Sequence, residues 1–536
     1  MRPVALVAAV ALTVSACGGG GAAQDDNAPK AGATFTYAMT GLPTSLDPAD
    51  YQGDPSRNIG FELGSSLFRW GTEDLDQQGC TTLANVNQLK GDLAESFERS
   101  EDGKTVKVKL REAKSAAGNT LTSNDVKWTI DRLIQLKVGT PNTLMQDVAD
   151  WAADPIKVVD DRNFEILMDN PSAMDIAITT WAQFRILDST EIKKHVTAED
   201  PWGKAYVSKN ASTFGPWTHQ AEDFVSGDRL TLSKNPNYTG ERGDVEKVVF
   251  IGVSDAASRA QLLSTGNASY AAGLQYEQYA QLRDNPEIDV QTCSSADRIP
   301  LVLNAKDPVL GKDDVRKAIS LAIDRKSIVD AVYRGFNQPS EATVSNAYGL
   351  DLPNAAKYEY NADEAKKLLA AAGVSSLDIT LHISPARPGP EAEQIAILLQ
   401  NQLGKVGINV KIQTLASATE INTVFHDGNF QALLYLEPPA VADPYYSLFL
   451  YNSSKSKLNT FGYVNAELDE VITKVGTTSP GSERDTLVKK AGELLADHPG
   501  FIYLVDRQFV HAVRKGLTNY QHAPNGEMFV YTLKQG

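Results

Sequence analysis

Residues 395–413 read IAILLQNQL, GKVG, INVKIQ, and this stretch decides the fold class. Ile395 to Leu403 carries apolar residues at helical spacing and ends at Gly404 and Gly407. Ile408-Asn409-Val410-Lys411-Ile412-Gln413 then alternates strictly, as a half-buried strand does. Working outward, Phe430 to Leu436 is almost wholly apolar and reads as a strand covered on both faces. Helical patterns flank it at Asp313–Val332, Asp363–Ala372, Asn465–Val475 and Ser482–Ala496. Residues 300–505 are therefore an α/β unit. Towards the N-terminus, short strands are predicted at Thr105–Leu110, Phe164–Met168, Arg229–Ser233 and Lys247–Val253. A capped helix is predicted from Ser123 to Leu136, with Thr122 and Asp125 in capping-box relation.

The chain has 536 residues, too many for one hydrophobic core, and a net charge of −16. An excess of carboxylates this large argues against nucleic acid as a partner. After the N-terminus no apolar run is long enough to cross a bilayer. The N-terminus itself pairs Arg2 with the apolar run Val4–Val14, the length of a signal-peptide core. It ends in Val14-Ser15-Ala16-Cys17, which resembles a bacterial lipobox. On that reading residues 1–16 are removed, Cys17 is acylated with diacylglycerol, and 17–32 form a flexible tether. The mature protein is expected outside the cytoplasm, anchored to the cell membrane. Cys80 and Cys293 then face an oxidising compartment. They either form one disulfide or stay as two separate thiols, and the sequence leaves both open.

Catalytic patterns are missing. There is no HExxH, GxSxG, P-loop or GxGxxG. Ser454 and Lys457 satisfy SxxK only within a polar run, and the seven histidines are scattered without ligand spacing. We therefore expect no catalytic residues, no metal and no cofactor.

Five blocks of residues resemble a known family. They are Pro43-Thr44-Ser45-Leu46-Asp47-Pro48; Leu93-Ala94-Glu95-Ser96-Phe97 through Asp102-Gly103-Lys104-Thr105 to Leu121-Thr122-Ser123-Asn124-Asp125-Val126; and Gly215-Pro216-Trp217 with Asn235-Pro236-Asn237-Tyr238. The others are Asp314-Val315-Arg316-Lys317-Ala318-Ile319 with Ala322-Ile323-Asp324-Arg325, and Leu403–Val410 with Asp443-Pro444 and Val513-Arg514-Lys515-Gly516. Their order resembles the extracytoplasmic solute-binding proteins of ABC importers, in the dipeptide, oligopeptide and nickel class. The resemblance implies a two-lobed α/β periplasmic-binding-protein fold with an inserted subdomain. Lobe I would take 33–70, 199–297 and 508–536; the insert 71–198; and lobe II 298–507. It also implies a monomer that captures a peptide or another small solute between the lobes and hands it to permease and ATPase subunits. An oligosaccharide ligand, or a surface hydrolase on the same scaffold, are the competing readings.

In peptide-binding members an acid a few residues before the Asp-Pro pair holds the peptide amine. Here Ala440 stands where that acid is expected, four residues before Pro444, and Glu437 is the substitute. Tyr435, Asp443 and Tyr445 share that segment as candidate ligand contacts. Trp70 and Trp181 are candidate stacking surfaces, and Arg185 is a candidate carboxylate holder.

Overall fold

The computed structural model describes residues 34–536, apart from 52–53, 73–74, 76–79, 82–88, 351, 353–358 and 525. The signal peptide, Cys17 and the tether lie outside the described residues.

Two α/β halves share one 12-stranded sheet. At one end Leu377–Ile383 pairs in parallel with both Ile408–Thr414 and Ala432–Leu434. At the other, Thr34–Met39 pairs in parallel with Lys247–Gly252 and Tyr270–Ala271. Two long strands, Ile288–Leu303 and Phe501–Arg514, run antiparallel through the middle and belong to both halves. Their register holds from Ile288↔Arg514 to Ser294↔Gln508, slips, and resumes at Arg298↔Asp506. Ser295, Ala296 and Asp297 thus stand opposite Arg507 alone, a bulge that bends the pair.

The predicted elements are present at Ser123–Gln135, Ala362–Ala371, Ala392–Gly404, Ala466–Thr477 and Ser482–Asp497. Thr122 and Asp125 form the capping box, and Gly373 ends its helix at φ 74°. Asp313–Val332 is not one helix but two, Asp313–Leu321 and Arg325–Tyr333. Asp324 breaks it by accepting the Ser327 amide, 3.0 Å away, as the cap of the second helix. The apolar run from Phe430 contributes only three strand residues, Ala432–Leu434.

A separate antiparallel sheet of four strands, Ala94–Arg99, Thr105–Leu110, Asn163–Met168 and Trp151–Val158, packs with helix Ser123–Gln135. Val106, Val108 and Leu110 alternate inward from it. That unit is fastened to the first half by Arg132, which donates to both Asp47 oxygens inside the protein, one bond at 2.8 Å. Such a fork is bidentate and fully desolvated, so losing either partner leaves a bare buried charge.

Glu62 closes the other side of this half. The Trp217 indole N–H and the Val530 amide donate to its two oxygens at 2.6 and 2.7 Å. Burial nevertheless pushes its carboxyl up to about 8 from 4.5, outweighing those bonds. A raised carboxyl stabilises the fold fully only below its unfolded value, and the contribution is lost as pH rises towards 8. We therefore expect the thermal midpoint of Glu62→Gln to gain on the wild type between pH 4.5 and 8. Parallel curves from differential scanning across that range would remove the assignment.

Candidate functional site

In open α/β sheets ligands bind beyond the carboxyl ends of parallel strands. In the second half those ends lead into two loops, residues 384–391 after Leu377–Ile383 and 435–443 after Ala432–Leu434. The second loop carries four of the residues singled out in the sequence.

Glu437 is fully buried. Its backbone exchanges two hydrogen bonds with Arg298, at 3.0 and 2.9 Å, and its carboxylate accepts the Tyr503 hydroxyl at 2.7 Å. Burial pushes its carboxyl above the usual range, against the pull of Arg298 and the Ser447 hydroxyl. No solute reaches this carboxylate in the present conformation. Asp443 caps helix Pro444–Asn452 by accepting the Tyr445 amide, and both oxygens take Arg484 at 2.7 Å. Its carboxylate is committed to holding two helices together. Ala440, where an amine-binding acid was expected, is buried against its neighbours.

Tyr435 stacks on Phe425 with centroids 4.5 Å apart, and its hydroxyl donates to Asn422. The Arg387 guanidinium lies 4.5 Å from the Tyr435 centroid and donates to the Leu436 carbonyl at 2.9 Å. Arg387 was not singled out by the sequence. Among the described residues no carboxylate pairs with it, and its Nε has no hydrogen-bond partner. The available signal was its place, four residues past a strand that enters a parallel sheet.

Tyr445 is half-buried, stacked on Phe449 at 5.5 Å, and burial beside Asp150 raises its hydroxyl to about 12. It packs on Gly476 so closely that a Cβ there would sit 2.4 Å from the ring. This is where the four-stranded unit meets the second half. The Ala173 amide donates to the Gly476 carbonyl at 2.7 Å, and Lys457 pairs with Asp147 at 2.6 Å.

Trp70 and Arg185 meet in the first half, at a cavity of about 20 Å³ also lined by Asp92, Tyr238 and Tyr531. That space holds roughly one water. Arg185 donates to the Thr180 carbonyl at 3.1 Å and lies over the Phe61 ring at 4.4 Å. Burial lowers its guanidinium to about 10, with Asp92 the main charge opposing that shift. Trp181 is only half-buried; its indole donates to Gln183, and Arg57 stands over its ring at 5.4 Å. The structure thus groups the candidates in two places, Tyr435–Tyr445 in one half and Trp70 with Arg185 in the other. Cys80 and Cys293 are joined as a disulfide, with Cα atoms 5.4 Å apart. It ties the segment before the four-stranded unit to a crossing strand.

Two halves joined by two crossing strands, with an added four-stranded unit that touches the second half at Gly476 and Lys457, form the two-lobed architecture of a solute-binding protein. Residues 88–459 match the model of the bacterial extracellular solute-binding proteins, family 5, and the chain belongs to that family. It is 26% identical over 487 residues to the probable D,D-dipeptide-binding periplasmic protein DdpA of Escherichia coli K12, covering 90% of each chain. The glutathione-binding protein GsiB of Shigella flexneri is 24% identical over 499 residues, again 90% of each. The dipeptide-binding protein of a Pseudoalteromonas species in complex with Met-Leu superposes with a TM-score of 0.76 at 19% identity. That superposition covers 94% of this chain and all of the other. No helix among the described residues is long and apolar enough to cross a membrane.

Removing one member of the Asp443–Arg484 pair strands a buried charge, at a cost of about 3–5 kcal/mol. Asp443→Leu should lower the thermal midpoint sharply, and adding Arg484→Met should restore most of the loss. A single variant as stable as the wild type would show that the pair carries no such load.

Proposed function

We propose that this protein captures short peptides for an ABC importer and delivers them to its permease, held at the membrane by a lipid on Cys17. The observation that carries the ligand class is Arg387. It is a half-buried cation at the carboxyl ends of the parallel strands, beside an aromatic ring, without a carboxylate of its own. A guanidinium placed so matches the carboxylate terminus of a peptide in charge and in planar geometry. The names and bound ligands of the relatives support the class: a D,D-dipeptide, glutathione and Met-Leu.

In this reading the lobes are 33–70 with 199–297 and 508–536, and 298–507, with 71–198 inserted. The hinge is the bulge at Ser295–Asp297 opposite Arg507. Closure follows from a solute touching both lobes and so binding the closed form more tightly. The contacts Ala173–Gly476 and Lys457–Asp147 are then the rim that meets when the lobes close. The amine end of the ligand remains without an assigned acid, because Glu437 is enclosed and Asp443 is paired.

Titration calorimetry with defined dipeptides tests the reading. Arg387→Met should weaken binding by about 10- to 100-fold, the worth of a charged hydrogen-bonded pair. A dipeptide amidated at its C-terminus should lose as much against the wild type. Equal affinities in both comparisons, or no heat with any peptide, would sink it. Separately, Cys17→Ser should move the protein from the membrane fraction to the soluble one; retention there would contradict lipid anchoring.

A further inference from the structure

Three residues far apart in the chain converge beside the crossing strands. Cys80, Cys293 and His522 are all buried, and their ligand atoms lie within 4.8 Å of one another. Sequence spacing conceals them, since 213 residues separate the cysteines alone. The set has the composition of a soft-metal site: two sulfurs and an imidazole.

Two further observations point the same way. The His522 Nδ1 lies 3.1 Å from the Ala523 carbonyl, which only accepts. Nδ1 therefore carries the proton, and Nε2 keeps the lone pair that a metal takes, the arrangement found behind metal-bound histidines. The second observation is His511. Cys293 pairs with Phe509 across the crossing strands, so His511, two residues on, shares the face of Cys293 as its diagonal neighbour. His511 is 3% exposed and its ring lies 5.6 Å from that of His522. Its Nδ1 meets the Tyr270 hydroxyl at 2.8 Å, while its buried Nε2 has no hydrogen-bond partner. A tetrahedral Zn²⁺ site with metal–sulfur bonds of 2.3 Å spaces its ligand atoms about 3.7 Å apart. The ligand atoms of Cys80, Cys293 and His522, all within 4.8 Å of one another, are near that scale.

We propose that reduction of the Cys80–Cys293 bond turns this pocket into a Zn²⁺ site, with both thiolates and His522 as ligands and the fourth position filled by water or by His511 once it moves inward. An external dithiol supplies the two electrons and two protons, becomes a disulfide itself, and leaves two thiols. Zn²⁺ then binds both sulfurs and displaces two protons. The metal replaces the covalent tie between the Cys80 segment and the crossing strand, and adds the C-terminal segment around His522 to it. Anchoring of these elements would survive a reducing environment.

Co²⁺ reports the site directly. Full-length protein reduced with a phosphine and freed of the excess is titrated with CoCl₂. The expected result is one Co²⁺ per chain, with sulfur-to-cobalt charge transfer and the intense visible bands of tetrahedral coordination, all erased by one equivalent of Zn²⁺. The oxidised protein should show neither band. His522→Gln should weaken binding by about tenfold or more, and Cys293→Ser should at least halve the charge transfer per bound Co²⁺. Near-ultraviolet circular dichroism follows the fold in parallel. Absence of the bands in reduced, folded protein would overturn the proposal. So would an unchanged Co²⁺ affinity in His522→Gln, or an unfolding on reduction that Zn²⁺ does not reverse. Unfolding that Zn²⁺ does reverse supports it, since metal and fold would then be coupled.

Discussion

The hydrogen bonds of the buried Arg298 guanidinium hold the loops of the second half to the bend in the crossing strands. Arg298 sits where the crossing strands resume pairing after their bulge and is 2% exposed. Its nitrogens donate to Asp506 at 3.1 Å, to the Thr343 carbonyl and Ser340 hydroxyl at 2.8 Å, and to the Ala342 carbonyl. Its Cζ lies 3.3 Å from the Tyr503 ring centroid, and the Tyr503 hydroxyl passes the network on to Glu437. Burial works against the charge, but Asp506, Tyr503 and Glu437 outweigh it, so the cation is held more firmly than in water. A desolvated ion is costly unless every donor is met, and four of these contacts come from segments remote in sequence. The bend, the 340–343 loop and the 435–443 loop are thereby fixed relative to one another.

That constraint explains the character of the candidate site. The loop after Ala432–Leu434 is pinned at Glu437 by Arg298 and at Asp443 by Arg484. Between the pins, Pro438 to Ala442 has little freedom, and Tyr435 is locked by Phe425. Arg387 is different, for it reaches this rigid loop from the neighbouring one and leaves part of its fork unused. A cation on a preorganised wall recognises an anion with little ordering cost.

The sequence was most readable where neighbours along the chain decide the structure. The alternation of Ile408–Gln413 and the helix before it are local patterns, and both stand as elements. The break at Ala322–Asp324 was hidden because apolar spacing continues across it; only the carboxylate turning back to the Ser327 amide ends the first helix. Phe430 yields a shorter strand than its composition suggests because apolar runs do not distinguish strand from buried loop. Side-chain roles were less legible still. An acid at 437 or 443 is visible, but its partner is set by tertiary contacts, with Arg298 139 positions earlier and Arg484 41 positions later. Whether such an acid faces a ligand or an arginine is a question that spacing cannot pose.

The distribution of buried arginines carries the argument one step further. Arg259 donates to the carbonyls of Val253, Ser254, Ala272 and Gly273, just beyond the carboxyl ends of two parallel strands. Arg316 gathers the carbonyls of Leu310, Gly311 and Pro499, and Arg325 those of Ser320 and Tyr503. All three are buried, and each gathers backbone carbonyls from segments apart in the chain. Part of the positive charge is thus spent inside, on backbone oxygens. Buried carboxylates such as Asp47, Asp175 and Asp443 offset these cations, and the whole-chain charge of −16 still leaves carboxylates in excess outside. In such a field an anionic terminus finds few cations to meet, and in the proposed function a guanidinium at the loop edge, as at Arg387, weighs correspondingly more.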